Sequence, residues 1–535
     1  MEHGILSAIV WTPLLGALVV LLMPTRSETV LRWTAIVASL VPFLLSLRML
    51  QLFDPSVGTL QLTEVASWMP SLGVDYALGV DGFSLWLILV TTLLLPIILV
   101  AGWHDIEKRL KEFLFFMLLL EWGMLGALCA TDLFLFFTFW ELMLFPMVFV
   151  IGIWGGPRRR YAAVKFLIYT MAGSALMMVA MVYVVLRQAA ATGKLSFDIA
   201  SLYGTPLTYS EQLACFAAFA VAFMIKVPMV PFHTWLPDAH TEAPTGGSVD
   251  LAGVLLKLGA YGFLRFALPM FPAAAQDAFP WIMLLAVVGI VYVAMVAFPQ
   301  PDMKRLVAYS SVSHMGFVML GLYAFNSIGV TGSVLQMVNH GLSTGALFIL
   351  VGYVYHRRHT RQIAEYGGLW GLVPIFSALF LVVTLSSISL PGTNGFVGEF
   401  LILLGAFRAH PWAGSIATIG VVLGAGYMLT MFQRVVFGPV TNEANRTLVD
   451  LNAREIGALV PILVLIFWIG LYPKPFLDRI EPTTQVLLER LRAAGATRHM
   501  AAEDRRGAPS ALPAALAAPA AHAAEPAHAA EAAHP

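Results

Sequence analysis

Long apolar runs separated by short polar connections fill the sequence from its first residues to about residue 475. Most of these runs have roughly 20 residues or more, the length an α-helix needs to cross the hydrocarbon of a bilayer. In lipid only helices and closed barrels satisfy their backbone hydrogen bonds, and the runs lack the alternation typical of barrel strands. The pattern predicts an all-α polytopic membrane protein with about 14 transmembrane helices. The runs lie near 4–23, 30–51, 80–102, 113–130, 133–153, 161–187, 211–227, 248–268, 281–299, 303–323, 329–355, 371–408, 413–437 and 456–473.

Two of the predicted helices are interrupted by proline and glycine. The seventh meets Pro228 and Pro231 and continues to about residue 245, and the twelfth contains LSSISLPGTNGF at 385–396. Such breaks free backbone groups, which is tolerated only inside protein or beside water. Because the broken helices are five apart, two blocks of five helices must insert with opposite orientations. This spacing is typical of transporters with inverted repeats.

The same spacing predicts the domain organisation. We expect helices 1–3, a first five-helix repeat, a second five-helix repeat, helix 14 and a mostly disordered C-terminal extension. The extension is rich in alanine and proline and cannot bury a core, although 478–498 is compatible with a short surface helix. These units span 1–110, 111–270, 271–440, 441–477 and 478–535.

Basic residues cluster in every second connection, which predicts the orientation of the helices. The positive-inside rule places the basic connections in the cytoplasm, and an even helix count then puts both termini on the outer, periplasmic side. The first run lacks a basic n-region and a cleavage site, so we expect it to be a retained helix. The basic set is Arg26, Arg32, Lys108, Arg109, Lys111, Arg158, Arg159, Arg160, Lys304, Arg305, Arg357, Arg358, Arg361, Arg446 and Arg454.

Composition excludes several other classes of protein. Of the 535 residues 59% are hydrophobic and 12% are charged, far from the composition of soluble domains. The formal net charge is zero, so nothing indicates nucleic-acid binding. The two cysteines, Cys129 and Cys215, lie in separate apolar runs and indicate neither a disulfide framework nor a metal centre. No dinucleotide fingerprint, P-loop or nucleophile elbow is present.

Six ionisable residues lie within the predicted helices, where they are costly. A lysine at the bilayer centre costs roughly 3 kcal/mol or more, so such residues usually have a partner or a task. Carboxylates, lysines and histidines can hold and pass protons, and burial and nearby charges decide when each releases one. We therefore predict a proton path. Its candidate residues are Glu141, Lys226, Lys257, His314, His340 and Glu399.

Structural roles for these residues remain open at the level of sequence. Glu141 and the two lysines could form ion pairs that only hold helices together, and each histidine could pack against a backbone carbonyl. Glu399 could cap the half-helix after the second break. We also expect structural roles for the polar residues of the first break, which would organise the hinge or face water. Two cations near helix ends are expected to snorkel, that is, to extend their charged groups to the membrane interface. The hinge residues are His233, Asp238, His240 and Glu242, and the two cations are Lys165 and Arg265.

The segments that carry these residues resemble the antiporter-like membrane subunits of respiratory complex I over roughly residues 1–475. Glutamate at 399, where many members have lysine, is typical of the M-type (chain 4) branch. The chain also lacks the long lateral helix expected of L-type members. The matching segments are FFTFWELMLFPMVFVIGIWGG, FMIKVPMVPFHTWLPDAHTEAPTGGSV, LAGVLLKLGAYGFLRF, KRLVAYSSVSHMGFV, SLPGTNGFVGEFLIL and YMLTMFQRVVFGP.

The resemblance implies a role for each candidate residue. Glu141 and Lys226 would be the coupled carboxylate–lysine pair, Lys257 the connecting lysine, and Glu399 the terminal ionisable residue. His314 and His340 would be polar links between them.

The resemblance also implies a bacterial inner membrane location and a place beside L-type and N-type subunits. FMN, iron–sulfur clusters and quinone would be bound by partner subunits, with no cofactor or metal in this chain. The alternatives are an Mrp-type cation/proton antiporter subunit without redox coupling and a purely structural spacer in the membrane arm.

Overall fold

The computed structural model describes residues 4–24 and 27–507, with side chains up to residue 493, and most of these residues are helical. The predominantly helical fold expected from the sequence is therefore confirmed. The helices are α1 (Ile5–Leu22), α2 (Glu28–Leu52), α3 (Ser84–Ala101), α4 (Leu110–Cys129), α5 (Leu133–Leu142), α6 (Leu144–Trp154), α7 (Arg159–Thr192), α8 (Ile199–Leu202), α9 (Tyr209–Lys226), α10 (Trp235–Glu242), α11 (Thr245–Asp250), α12 (Leu256–Gly262), α13 (Leu268–Met270), α14 (Pro272–Asp277), α15 (Phe279–Ala297), α16 (Met303–Leu322), α17 (Ser327–Arg358), α18 (Leu369–Leu372), α19 (Pro374–Ser387), α20 (Asn394–Ala409), α21 (Pro411–Val436), α22 (Ala453–Leu471) and α23 (Lys474–Gly507).

One element that the sequence did not predict is a β-hairpin between α2 and α3. Its strands are β1 (Gln61–Met69) and β2 (Val74–Val80), which pair antiparallel. The turn ends at Gly73, whose φ of 66° lies in the left-handed region that glycine adopts without strain. In the described residues this hairpin is a small addition to a fold that is otherwise helical.

Each predicted apolar run coincides with helix in the structure. Within the described residues, eleven helical segments are long and apolar enough to cross a membrane. The runs near 211–227, 303–323 and 371–408 are not among them, because they are broken or carry several polar residues. The count of fourteen and the inverted repeats remain predictions.

Both interruptions lie where the sequence predicted them. After α9 the helix breaks over residues 227–231, and the indole Nε1 of Trp235 donates to the freed carbonyl of Ile225 at 2.9 Å. After α19 the chain turns over residues 388–393 before α20 begins at Asn394. The broken helices thus keep their exposed backbone groups inside protein, as an apolar solvent requires.

The helix from Thr245 to Met270 is fully buried and irregular. Between α11 and α12 it widens into a π-helical turn at Leu251–Leu255, and a second one lies at Phe263–Ala267. Such turns are rare in proteins overall, and those that occur are often found at functional sites. The surrounding helices α3, α9, α16 and α17 cover this helix on several sides.

One end of the bundle carries the basic connections, and we call it the basic face. Arg32 donates to Ile106 O at 3.0 Å, Trp154 Nε1 donates to Lys108 O at 2.8 Å, and Arg361 donates to Thr241 O at 2.7 Å. These bonds join connections that the sequence assigns to one side. Arg26 of the predicted basic set lies outside the described residues.

The C-terminal extension begins as a helix. α23 continues almost directly from α22 and covers the 478–498 segment for which the sequence indicated a surface helix. It packs against α17 and α14. The remainder of the extension, residues 508–535, lies outside the described residues, as do residues 1–3 and 25–26.

Candidate functional site

Lys226 is the last residue of α9 and lies at the first break, 2% exposed. Its ammonium group lies 4.9 Å from the ring centre of Trp140 and 6.0 Å from that of Phe166. A cation over an aromatic face is stabilised by the ring quadrupole, by up to about 2 kcal/mol when water is excluded. An aromatic environment therefore holds this lysine.

Glu141 follows Trp140 on α5 and is half-buried. No ion pair joins Glu141 to Lys226 among the described residues. The structure therefore places the two members of the expected pair near the same break without an ion pair between them, and their coupling stays a prediction. We call Glu141, Lys226 and Trp140 the Lys226 group.

The polar residues of the first break have separate roles. Asp238 accepts from Lys165 Nζ at 2.8 Å, so Lys165 anchors the hinge and does not simply snorkel. Glu242 accepts from the backbone N–H of Arg158 at 2.8 Å. His240 is buried, stacks on Phe348 with 4.8 Å between ring centres, and has no hydrogen-bond partner on either ring nitrogen among the described residues.

Lys257 lies on α12 in the centre of the buried helix and has no solvent exposure. Its Nζ contacts the carbonyl of Ala252 within the first π-helical turn and lies 2.7 Å from Nδ1 of His340. The widened turn thus offers its carbonyl to the lysine, and the lysine donates toward a histidine of α17.

His314 and Glu399 form a second direct contact. Nδ1 of His314 on α16 lies 2.8 Å from Oε1 of Glu399 on α20, and Nε2 of Gln336 donates to the same oxygen at 3.1 Å. Glu399 is therefore a partner of histidine and not a helix cap. The rings of His314 and His340 lie 5.6 Å apart.

The two contacts form one series, Lys257, His340, His314 and Glu399, which we call the histidine relay. Nε2 of His340 has no partner among the described residues. Both imidazoles line a cavity with a volume of about 10 Å³, which is room for about one water molecule. Such a water would bridge the two rings.

The second break is attached to α17 by hydrogen bonds. Asn394 O accepts from Asn339 Nδ2 at 2.7 Å, and its side-chain oxygen accepts from Ser386 at 2.6 Å. Ser343 of α17 lies 2.7 Å from Ser386. The break is therefore held in place by polar contacts with α17.

The structure brings four of the six predicted residues into one series and keeps the Lys226 group apart from it. Within the described residues no hydrogen bond joins Lys226 to Lys257. The helices α9 and α12 pack closely between them, because Gly259 lies against Phe223 and the backbone of Val227.

Sequence reasoning misjudged Arg265. This residue does not snorkel to an interface, because it is 6% exposed and pairs with Asp81 at 2.7 Å. Its Nε also donates to the hydroxyl of Tyr261 at 3.0 Å. The partner lies in the loop before α3, and sequence spacing alone does not reveal such a pairing.

Sequence reasoning also missed Glu121 on α4 and Asp250 on α11, both fully buried. Glu121 lies mid-helix and satisfies the same criterion that selected Glu141. Asp250 directly follows the glycine-rich hinge, so the hinge pattern concealed it.

A cavity of about 130 Å³ opens at the basic face between α6, α11 and α17. Lys304, Glu242 and Arg361 line it, and Nζ of Lys304 contacts the carbonyl of Ala243. His240 lies next to this region, and its surroundings include the charges of Lys304 and Lys257. Of the buried lysines, the cavity therefore reaches Lys304.

The arrangement suits proton transfer. Lysine, imidazole and carboxyl groups in series can each accept a proton from one neighbour and donate to the next. In the part of the chain that the structure describes, no group of three or more His, Cys, Asp or Glu side chains could hold a metal ion.

Comparison with known proteins gives consistent results. Residues 130–424 match the family described as "NADH:quinone oxidoreductase/Mrp antiporter, TM". The chain is 44% identical to NADH-quinone oxidoreductase subunit M of Rhodobacter capsulatus, over 92% of this chain and 98% of that protein. It is 41% identical to NADH-ubiquinone oxidoreductase chain 4 of Arabidopsis thaliana, over 90% of this chain and 97% of the other.

A chain of respiratory complex I from Thermus thermophilus with bound NADH shares the fold. Its TM-score is 0.81 at 32% identity, covering 92% of this chain and all of that one. A chain of the Mrp complex from Dietzia sp. has a TM-score of 0.79 at 20% identity, covering 92% and 99%, which shows likeness of fold alone.

Proposed function

The chain belongs to the NADH:quinone oxidoreductase/Mrp antiporter family, among the relatives of subunit M, and we propose on this premise how its buried residues move protons. It is a proton-translocating membrane-arm subunit of NADH:quinone oxidoreductase, and it is thus part of an enzyme complex. The observation that carries the proposal is the histidine relay, four buried titratable side chains in series across α12, α17, α16 and α20.

In this proposal the Lys226 group acts as a switch. The amine of Lys226 has an aromatic neighbour but no carboxylate in contact, so its charge depends on the distance of Glu141. A nearby carboxylate favours the ammonium form, and burial without one favours the neutral amine. Movement of Glu141 relative to Lys226 would therefore bind or release one proton.

The histidine relay would then carry the proton laterally. Lys257 donates to Nδ1 of His340, a bridging water passes the proton to His314, and Glu399 receives it. Each transfer leaves the donor ready to accept again. We propose one proton per cycle through this subunit, in steps driven by quinone reduction elsewhere in the complex.

Other membrane-arm subunits of complex I are the partners that this assignment requires. We propose L-type and N-type antiporter-like subunits as direct neighbours, with FMN, iron–sulfur clusters and quinone bound by partner subunits. We also propose the bacterial inner membrane as its location, with the basic face in the cytoplasm and both termini periplasmic. The alternation of basic connections supports this orientation.

The Mrp-type alternative and the structural-spacer alternative are less well supported. Identity to the Mrp chain is 20%, against 44% to subunit M of Rhodobacter capsulatus. Glu399 forms a direct contact with His314, whereas a spacer has no use for titratable groups in series.

The test is Lys226→Met in the assembled complex in proteoliposomes, with quinone-coupled turnover and proton uptake measured together. Loss of a positioned proton carrier lowers a rate by roughly 100-fold or more, and we expect that loss in both readouts. Lys194→Met replaces an exposed lysine and serves as the control. Undiminished pumping in the Lys226 variant would overturn the proposal.

A further inference from the structure

Among the described residues, two buried carboxyl groups have no hydrogen-bond partner and no role in the mechanism above. Glu121 is 0% exposed and Asp250 is 1% exposed, and none of their four side-chain oxygens has a hydrogen-bond partner among the described residues. A buried ionised carboxylate without a partner is strongly unfavourable, so such groups bind a proton instead. We call Glu121 and Asp250 the carboxyl pair.

The packing of α4 and α11 places the two carboxyl groups at the same depth. Both helices begin at a small pocket at the basic face, which Leu114 and Gly246 line. A Cβ on Gly246 would lie 3.8 Å from the side chain of Met117, so the helices touch there. The carboxyl pair lies one turn further along, because Glu121 and Asp250 each follow a contact residue by four.

The two carboxyl groups lie on neighbouring helices, on the sides of α4 and α11 that meet. Met117 and Gly246 mark where the two helices meet, and Glu121 and Asp250 follow them by one turn on the same helix faces. Neither group has a hydrogen-bond partner among the described residues, so ionisation of both at once is strongly unfavourable and at least one of them holds a proton. The carboxyl pair can therefore bind or release one proton.

Solvent and the histidine relay lie on opposite sides of the carboxyl pair. Toward the basic face, the pocket of about 20 Å³ also includes the polar side chains Arg32 and Asp105. Toward the membrane centre, Asp250 directly precedes the π-helical turn whose Ala252 carbonyl contacts Lys257. Asp250 and Lys257 are seven residues apart, about two helical turns, or roughly 10 Å.

We propose that the carboxyl pair is a second proton-holding site, which loads Lys257 from the basic face. A proton from water at the pocket would bind the pair, and its charge would change from −1 to 0. The proton would pass to the amine of Lys257 after that residue has donated to His340, which restores the charge of −1. The proposal rests on the proposed function, because it supplies protons to the same histidine relay.

A purely structural role fits the carboxyl pair less well. Carboxyl groups that hold helices together do so through hydrogen bonds or ion pairs, and neither residue has one among the described residues. The amides Gln and Asn have the same shape, so they preserve packing while removing the titratable group. Substitution by amides therefore separates proton holding from structure.

The experiment uses Glu121→Gln, Asp250→Asn and the double variant in the assembled complex in proteoliposomes. We expect proton pumping to fall by roughly tenfold or more in each single variant, because an uptake site for protons is lost. The double variant should pump protons no more slowly than the slower of the two single variants, because the two residues act as one unit. Asp250→Glu keeps a carboxyl group and should restore pumping, and the exposed Glu107→Gln is the control.

A second readout detects the proton itself. Infrared difference spectra during turnover should show a carbonyl band of a protonated carboxylic acid that shifts in D₂O and disappears in Glu121→Gln. If the wild-type complex shows no such band, or if the amide variants pump normally, the proposal is overturned. Normal pumping in those variants together with a pumping defect in Lys226→Met refutes the carboxyl pair alone. Normal pumping in all of them refutes the proposed function as well.

Discussion

The two helix breaks have opposite surroundings. Around the first break, Lys226 faces the aromatic rings of Trp140 and Phe166 and has no direct carboxylate contact. Around the second, Glu399 accepts hydrogen bonds from His314 and Gln336 in a region of polar side chains. Hydrogen bonds hold the opened chain at both breaks, but the titratable residues differ: Glu399 has hydrogen-bonded side-chain partners, whereas Lys226 has aromatic neighbours.

This difference indicates that the two breaks have different roles in proton transfer. A charge held by ring faces and by a distant carboxylate has few directional bonds, so a small movement of Glu141 changes its stability. A charge held by a fixed series of hydrogen bonds keeps its position while protons pass along it. The first break therefore suits a switch, and the second suits a fixed relay.

The largest effect on proton pumping is expected from Lys257→Met, which removes one residue of the histidine relay. The variant removes the donor to His340, so we expect proton pumping to fall by roughly 100-fold or more. Pumping and quinone-coupled turnover in proteoliposomes check this, with Lys194→Met as the control. Wild-type pumping in this variant would show that the histidine relay is not on the proton path.

An effect of intermediate size is expected on stability, where substitution of Glu399 should lower the free energy of unfolding more than substitution of Glu141. Glu399→Ala leaves His314 and Gln336 without their acceptor, which should lower the free energy of unfolding by about 1–3 kcal/mol. Glu141→Ala removes no direct ion-pair partner from Lys226, so its effect on unfolding should be smaller. Thermal unfolding of the purified complexes measures both, and equal losses would break the distinction between the two breaks.

The smallest effect is expected from Trp140→Leu. Losing the cation–π contact should cost about 0.5–2 kcal/mol and change pumping only a few-fold, while Trp140→Phe keeps a ring and should behave nearly as wild type. Initial rates of proton uptake compare the two variants. A Leu variant indistinguishable from the Phe variant would mean that the ring face contributes nothing to the state of Lys226.

Much of the fold followed from hydrophobic length alone. Twenty apolar residues admit few alternatives to a helix in lipid, and prolines or glycines such as Pro228 and Gly392 show where a helix must open. The β-hairpin was missed because it lies in a polar connection without an apolar run. The six candidate residues were found because a charge inside an apolar run is exceptional.

The partners of those residues were harder to predict than their identities. Lys257 meets His340 and His314 meets Glu399 through helix packing, which brings together residues more than eighty positions apart. Arg265 was misjudged because its position near a helix end suggested exposure, whereas Asp81 pairs with it inside the protein. Sequence shows which residues are costly, and packing decides which residues compensate for them.

In the proposed function, the Lys226 group and the histidine relay belong to one proton path. The most direct measurement is a cryo-electron microscopy map of the assembled complex that resolves ordered water. We expect water density between His340 and His314, and a water-filled connection between Lys226 and Lys257 beside the α9–α12 contact. A dry apolar layer between the two lysines in every state of the turnover cycle would contradict the claim.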